Sequence, residues 1–190
     1  MESMEELLKS IESIRYANVN FEGRYFVPEA ALFDVVSEPA IKLSLTSLGI
    51  PEHEIGWLVE GILQGARKCY AILILIRRGE AISGFFRRDS LQRSCPDDRL
   101  PYTSESLQQI LEVEASSLTI KRFLETQREF AIPILYQHLI FRELDKEVIL
   151  PFLREKLVGS GSMGTAWEVE LHPQCHRLPL ENHKVSVHGA

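Results

Sequence analysis

The run Cys69-Tyr70-Ala71-Ile72-Leu73-Ile74-Leu75-Ile76 constrains this chain more than any other stretch. Before it, Ile55, Leu58, Val59, Ile62, Leu63, Ala66 and Tyr70 recur at three and four residues, which is helical spacing. A helix that is apolar on all sides belongs at the centre of a bundle, so other segments must supply apolar faces to cover it. If it is continuous from Pro51 to Arg77, this helix runs ~40 Å at 1.5 Å per residue. Gly56, Gly61 and Gly65 each weaken it by up to ~1 kcal/mol relative to Ala, which predicts a bend or a close helix contact near Gly61. Trp57 is expected to be core or half-buried, and Cys69 to be inert packing.

The covering faces are legible. Ser3-x-x-Glu6 is a capping box ahead of Met4, Leu7, Leu8, Ile11 and Ile14, and predicts a helix over 3–16. Asn18–Gly23 reads as a polar turn. Pro28 suits the first turn of a short helix carrying Ala31, Leu32, Val35 and Val36. Ser37 and Pro39 restart the pattern, and Gly49 closes it after Leu45 and Leu48. Gly79 interrupts, and 80–88 predicts a helix that lays Ile82, Phe85 and Phe86 on the central one. Ser94–Asp98 is a loop. Thr103 or Ser104 caps a helix with Leu107, Ile110 and Leu111, and 118–130 predicts another that ends at Pro133. Residues 134–141 are ambiguous between strand and helix, while 144–153 read as extended.

Near the C-terminus, Leu157-Val158-Gly159-Ser160-Gly161-Ser162-Met163-Gly164 sets three glycines at G-x-G-x-x-G spacing. A dinucleotide-binding turn with this spacing opens into a helix. Here the chain alternates instead: Thr165, Trp167, Val169 and Leu171 fall on one face, and Ala166, Glu168 and Glu170 on the other. That alternation is a strand. A glycine loop between two strands can lay backbone N–H groups over phosphates, as the nucleotide-covering hairpin of a protein kinase does.

Arg154–Leu171 resembles the first two strands of a protein-kinase small lobe. His172-Pro173 and the basic, His-rich loop after it resemble a set of kinase-like proteins from filamentous fungi. In those proteins a helical region precedes the kinase domain. Ile149-Leu150-Pro151-Phe152 resembles their junction, and Gly61–Ile76 with Glu80-Ala81-Ile82 resembles their helical region. The resemblance spans about 44–187. It implies a fold in two parts, an all-α module over 1–143 and the start of a kinase small lobe over 144–190. It also implies that Gly159, Ser160, Gly161, Ser162, Gly164 and Ala166 are the nucleotide-facing positions. ATP and Mg serve the intact family. Three departures stand out: Ala166 where the family has Val, Met163 where an aromatic tips the loop, and His188 at the position of the phosphate-pairing Lys. The 190 residues end before the other catalytic groups of the family. No catalytic residue, no cofactor and no metal site is therefore expected here.

Composition bounds the rest. Twenty-one basic against 27 acidic residues and a formal charge of −6 offer nucleic acid no attractive surface. The apolar run is far short of the roughly 20 residues that span a bilayer. Three scattered cysteines without a C-x-x-C pair, and an acidic N-terminus, fit an intracellular, cytoplasmic protein. His172, Cys175, His176, His183 and His188 suggest zinc, but they lack two close pairs, and a solvated loop is the better reading. The pairs Arg67-Lys68, Arg77-Arg78 and Arg87-Arg88 read as exposed helix ends. The expectation is a mainly α fold of five to seven helices with a small antiparallel β remnant. Its function is that of an interaction or regulatory module, with a protein partner on the helices. The alternative is the front of an active Ser/Thr kinase.

Overall fold

The structure, a computed structural model, describes residues 4–87, 95–111, 117–136, 146–161, 164–180 and 183–189. Ser3 of the capping box, Arg88, Ser94, residues 137–141, Leu144, Ser162 and Met163 lie outside them.

Eight α-helices precede a three-stranded antiparallel sheet among the described residues. The helices are α1 (Met4–Ala17), α2 (Glu29–Val35), α3 (Glu38–Ser47), α4 (Glu52–Gly65), α5 (Arg67–Leu75), α6 (Ser83–Arg87), α7 (Ser104–Ile110) and α8 (Ser117–Thr126). The strands are β1 (Phe152–Gly161), β2 (Gly164–Leu171) and β3 (Lys184–Gly189), in the order β1-β2-β3. A mainly α chain with a small sheet is what the periodicities predict. None of the described helices is long and apolar enough to cross a membrane.

The apolar run is the centre of the core. Cys69, Tyr70, Ala71, Ile72, Leu73 and Ile74 are all fully buried in α5. Leu7, Leu8 and Ile11 of α1, Ile41 and Leu45 of α3, Leu58 and Ile62 of α4, Ile82, Phe85 and Phe123 surround it. At its heart the Tyr70 hydroxyl meets Ser44 Oγ at 2.5 Å, and Ser44 Oγ donates to the Ile41 carbonyl at 2.9 Å. The helical run could not reveal this polar pair, in which both buried hydroxyls are bonded.

The long helix is two helices, which brings the number among the described residues to eight against the five to seven expected. The chain breaks at Ala66 (φ −136°, ψ 21°), one turn beyond the expected place. A Cβ on Gly65 would lie 2.3 Å from Cys95 Cβ, so glycine is what lets the 95–99 segment come against the break. That segment brings Asp97, whose carboxylate accepts from the N–H groups of Lys68 and Cys69, both at 2.9 Å. A break strands the first N–H groups of the new helix, and Asp97 satisfies two of them from 28 and 29 residues away. Gly61 makes the expected close contact, with the Phe86 ring 2.8 Å from where its Cβ would be.

Two other expectations change. Trp57 is 43% exposed, because it lies off the Ile55–Leu58–Val59–Ile62 stripe, and it touches Phe86 edge-on at 5.9 Å between centroids. Arg67 and Lys68 begin α5 rather than end a helix. Lys68 pairs with Glu29, while Arg67 lies over the Phe33 ring and donates to its carbonyl. Arg77 and Arg78 do follow the end of α5, paired with Glu5 and Glu80.

The sheet is tied to the helices. Phe26, Ile149 and Cys175 form a second small core, flanked by Ile132 and Leu153. Backbone bonds run from Phe21 N–H to the Phe152 carbonyl (2.9 Å) and from Leu135 N–H to the Cys175 carbonyl (3.1 Å). Asn20 Nδ2 donates to the Leu150 carbonyl at 3.2 Å, and Arg24 to that of Glu147 at 2.8 Å.

Candidate functional site

The glycine stretch folds as its alternation predicts, into a hairpin between β1 and β2. The register pairs Lys156 with Glu168, Leu157 with Trp167, Gly159 with Ala166, Ser160 with Thr165 and Gly161 with Gly164. Two residues of β1 therefore advance against one of β2 at Val158, a bulge that precedes the first glycine. Gly164 has φ +126°, backbone that a side chain would strain. Gly159 is different. A Cβ there would meet no heavy atom within 4 Å, so the packing of the chain does not explain its missing side chain.

The second pairing extends the row. Ala166 of β2 faces His188 of β3, just as it faces Gly159 of β1. Gly159, Ala166 and His188 thus form one line across the sheet beside the loop. Residues directly opposite in an antiparallel ladder share a face. The periodicity of the strands alone did not reveal this alignment, because it depends on the register and the Val158 bulge.

The surroundings are open. Leu157 and Val158 are 52% and 62% exposed, and the Ser160 hydroxyl lies 3.5 Å from that of Thr165. Burial on β2 is confined to Val169 and Leu171, at the end nearest the helices. Lys184 is opposite Glu170 and holds Glu168 at 3.3 Å, with Arg154 3.8 Å from Glu170. Lys184 and Arg154 are therefore engaged with carboxylates, while Lys156 stands opposite Glu168 in the register. Of the sequence-derived positions, Gly159, Ser160, Gly161, Gly164 and Ala166 come together around the hairpin tip, and Ser162 lies outside the described residues.

The histidines beyond β2 gather elsewhere. His172 Nδ1 lies 3.6 Å from Cys175 Sγ and accepts the Gln174 N–H at 3.3 Å. His176 Nε2 lies 2.8 Å from His183 Nδ1. Burial pushes the Cys175 thiol up to about 11 and holds His172 and His176 below the usual imidazole value. Among the described residues, no three His, Cys, Asp or Glu side chains converge as a metal-binding group. Compared with known proteins, the chain matches no family model, no curated protein and no solved structure.

Proposed function

We propose that this chain is a helical interaction module joined to a hairpin of the protein-kinase small-lobe type, and that the 190 residues as they stand bind a protein partner rather than catalyse phosphoryl transfer. The observation that carries the kinase-type reading is the row Gly159–Ala166–His188 beside a G-x-G-x-x-G hairpin. Such a hairpin offers backbone donors and an uncrowded surface at Gly159 to the phosphates of a nucleotide. Phosphoryl transfer needs more than a roof: a cation must pair with the phosphates, and metal ions must offset their charge. In this row the position that the resemblance gives to the phosphate-pairing Lys holds His188, a shorter side chain than Lys. Lys184 is four pairs away and bonded to Glu168. The Ala166 position, small and half-buried, suits the floor of such a loop.

Isothermal titration of the 190-residue chain with Mg-ATP tests this. The expected affinity is no tighter than about millimolar, or ~4 kcal/mol of binding free energy. His188→Lys adds a charge-assisted contact worth about 1.5–3 kcal/mol and should tighten binding tenfold or more. Micromolar binding by the unaltered chain, abolished by enlarging Gly161 and Gly164, would make it a nucleotide binder. No gain from His188→Lys would remove the kinase-type reading of the sheet.

A further inference from the structure

The loop from Leu171 to β3 uses the Nδ1 lone pairs of three imidazoles as acceptors. The His172 Nδ1 accepts from Gln174 N–H at 3.3 Å, and His176 Nδ1 from Leu178 N–H at 3.2 Å. Because His176 Nδ1 is taken by a backbone donor, its proton is on Nε2, which donates to His183 Nδ1 at 2.8 Å. Each Nδ1 accepts only while its own ring carries a single proton.

We propose that His172, His176 and His183 form an acid-released latch that fastens residues 172–180, and the start of β3, to the helical part of the chain. A proton added at His176 Nδ1 would face the Leu178 N–H. One added at His183 Nδ1 would face the His176 Nε2–H, and one at His172 Nδ1 the Gln174 N–H. Each converts a bond into two opposed donors.

The latch matters because of what hangs on it. His176 bridges Leu135, and the Leu135 N–H to Cys175 carbonyl and Arg177 N–H to Leu135 carbonyl bonds, at 3.1 and 2.8 Å, lie on either side of it. The His172 ring packs edge-on against the fully buried Phe26, centroids 5.4 Å apart, in the small core that holds the sheet. His183 directly precedes β3 and has φ +56°.

Among the described residues the ionisable groups acting on the latch are mostly basic. His176 feels His183 and Arg177, and His172 feels His176 and His183. Cys175 lies against His172, and Lys184 next to His183 is turned to Glu168. From the helical side Phe26 and Leu135 carry no charge, and α2, which packs on residues 173–175, carries Glu29, paired with Lys68, and Asp34. Burial first, and the neighbouring bases second, lower the values of His172 and His176, the latter against a smaller raising influence of the Leu178 backbone. A base lowered in the folded state contributes stability that is fully present above its unfolded value, near 6.5, and is lost as pH falls through the folded one. Neutral conditions therefore close the latch and mild acid opens it.

Amide exchange of the full chain, followed from about pH 7.5 to about pH 5 and corrected for intrinsic rates, tests this. Protection of 172–189 should fall about tenfold or more while α4 and α5 keep theirs. His172→Asn with His183→Asn leaves an oxygen acceptor at both Nδ1 positions, and Asn tolerates the left-handed backbone at residue 183. That pair should reduce the loss to under about threefold. Glu181→Gln, changing a carboxylate outside the described residues, should leave the transition in place. Undiminished protection at acid pH, an equal loss in α4 and α5, an unaltered transition in the Asn pair, or its disappearance in Glu181→Gln overturns the latch. A readout independent of folding variants is the imidazole NMR spectrum of the unaltered chain. It should show His176 as the Nε2–H tautomer near pH 7, and an Nδ1–H tautomer also overturns the proposal.

Discussion

Replacing Asp97 by Ala should destabilise the helical core at the junction of α4 and α5. The carboxylate takes the N–H groups of Lys68 and Cys69, both at 2.9 Å, where Ala66 has stepped out of helical geometry. Removing a helix-capping acceptor costs ~0.5–2 kcal/mol, and leaving a buried donor unbonded costs ~1–3 kcal/mol. Water can reach Lys68 but not the fully buried Cys69, so one donor stays dry. Against this stands the cost of holding a carboxylate out of water. Burial, the largest influence, pushes the Asp97 value up, although Lys68 and Cys69 N–H pull it down. The net loss is about 2–3 kcal/mol, or ~4–12 °C in Tm for a chain of this size. Asp97→Asn, which keeps one acceptor oxygen, should lose about half as much. An acid whose folded value is raised stabilises most below its unfolded value, near 3.9, and loses that contribution as pH rises through the folded value. The gap between the native chain and Asp97→Ala should therefore widen as pH falls from 7 towards ~4. Urea melts followed by far-UV circular dichroism measure both effects. A loss under about 0.5 kcal/mol, or a gap that narrows in acid, would refute the capping argument.

Leu73→Ala, at the fully buried centre of α5, should cost ~2–5 kcal/mol in the same urea melts, and a near-neutral result would contradict its burial. Residues 1–143 expressed alone should melt cooperatively but below the full chain, because losing the sheet uncovers Phe26, a side chain worth ~1.5–3 kcal/mol when buried. Residues 144–190 alone should show no cooperative melt, since a small sheet without a packing partner is marginal in water.

The sequence by itself determined the central apolar helix, the faces that cover it, the glycine at the end of α3 and the alternation that makes 164–171 a strand. These are local properties: helical and strand periods are written in neighbouring residues, and Gly49 with φ +76° is a position whose backbone chooses its residue. Only the tertiary structure decided where the central helix divides. The break depends on Cys95 packing against Gly65 and on Asp97 reaching across from another segment, contacts no window of sequence contains. The same holds for the site. The glycine spacing and the strand alternation were legible, but the row Gly159–Ala166–His188 follows from a bulge at Val158 and from how β3 registers on β2. The histidines were visible as a cluster of residue types. Which nitrogen of each accepts, and from whom, is set by a loop whose path depends on Phe26 and Leu135, more than 35 residues away in the chain. Short-range periodicity reports which faces seek burial, whereas long-range contacts decide which polar atoms meet when that burial is complete.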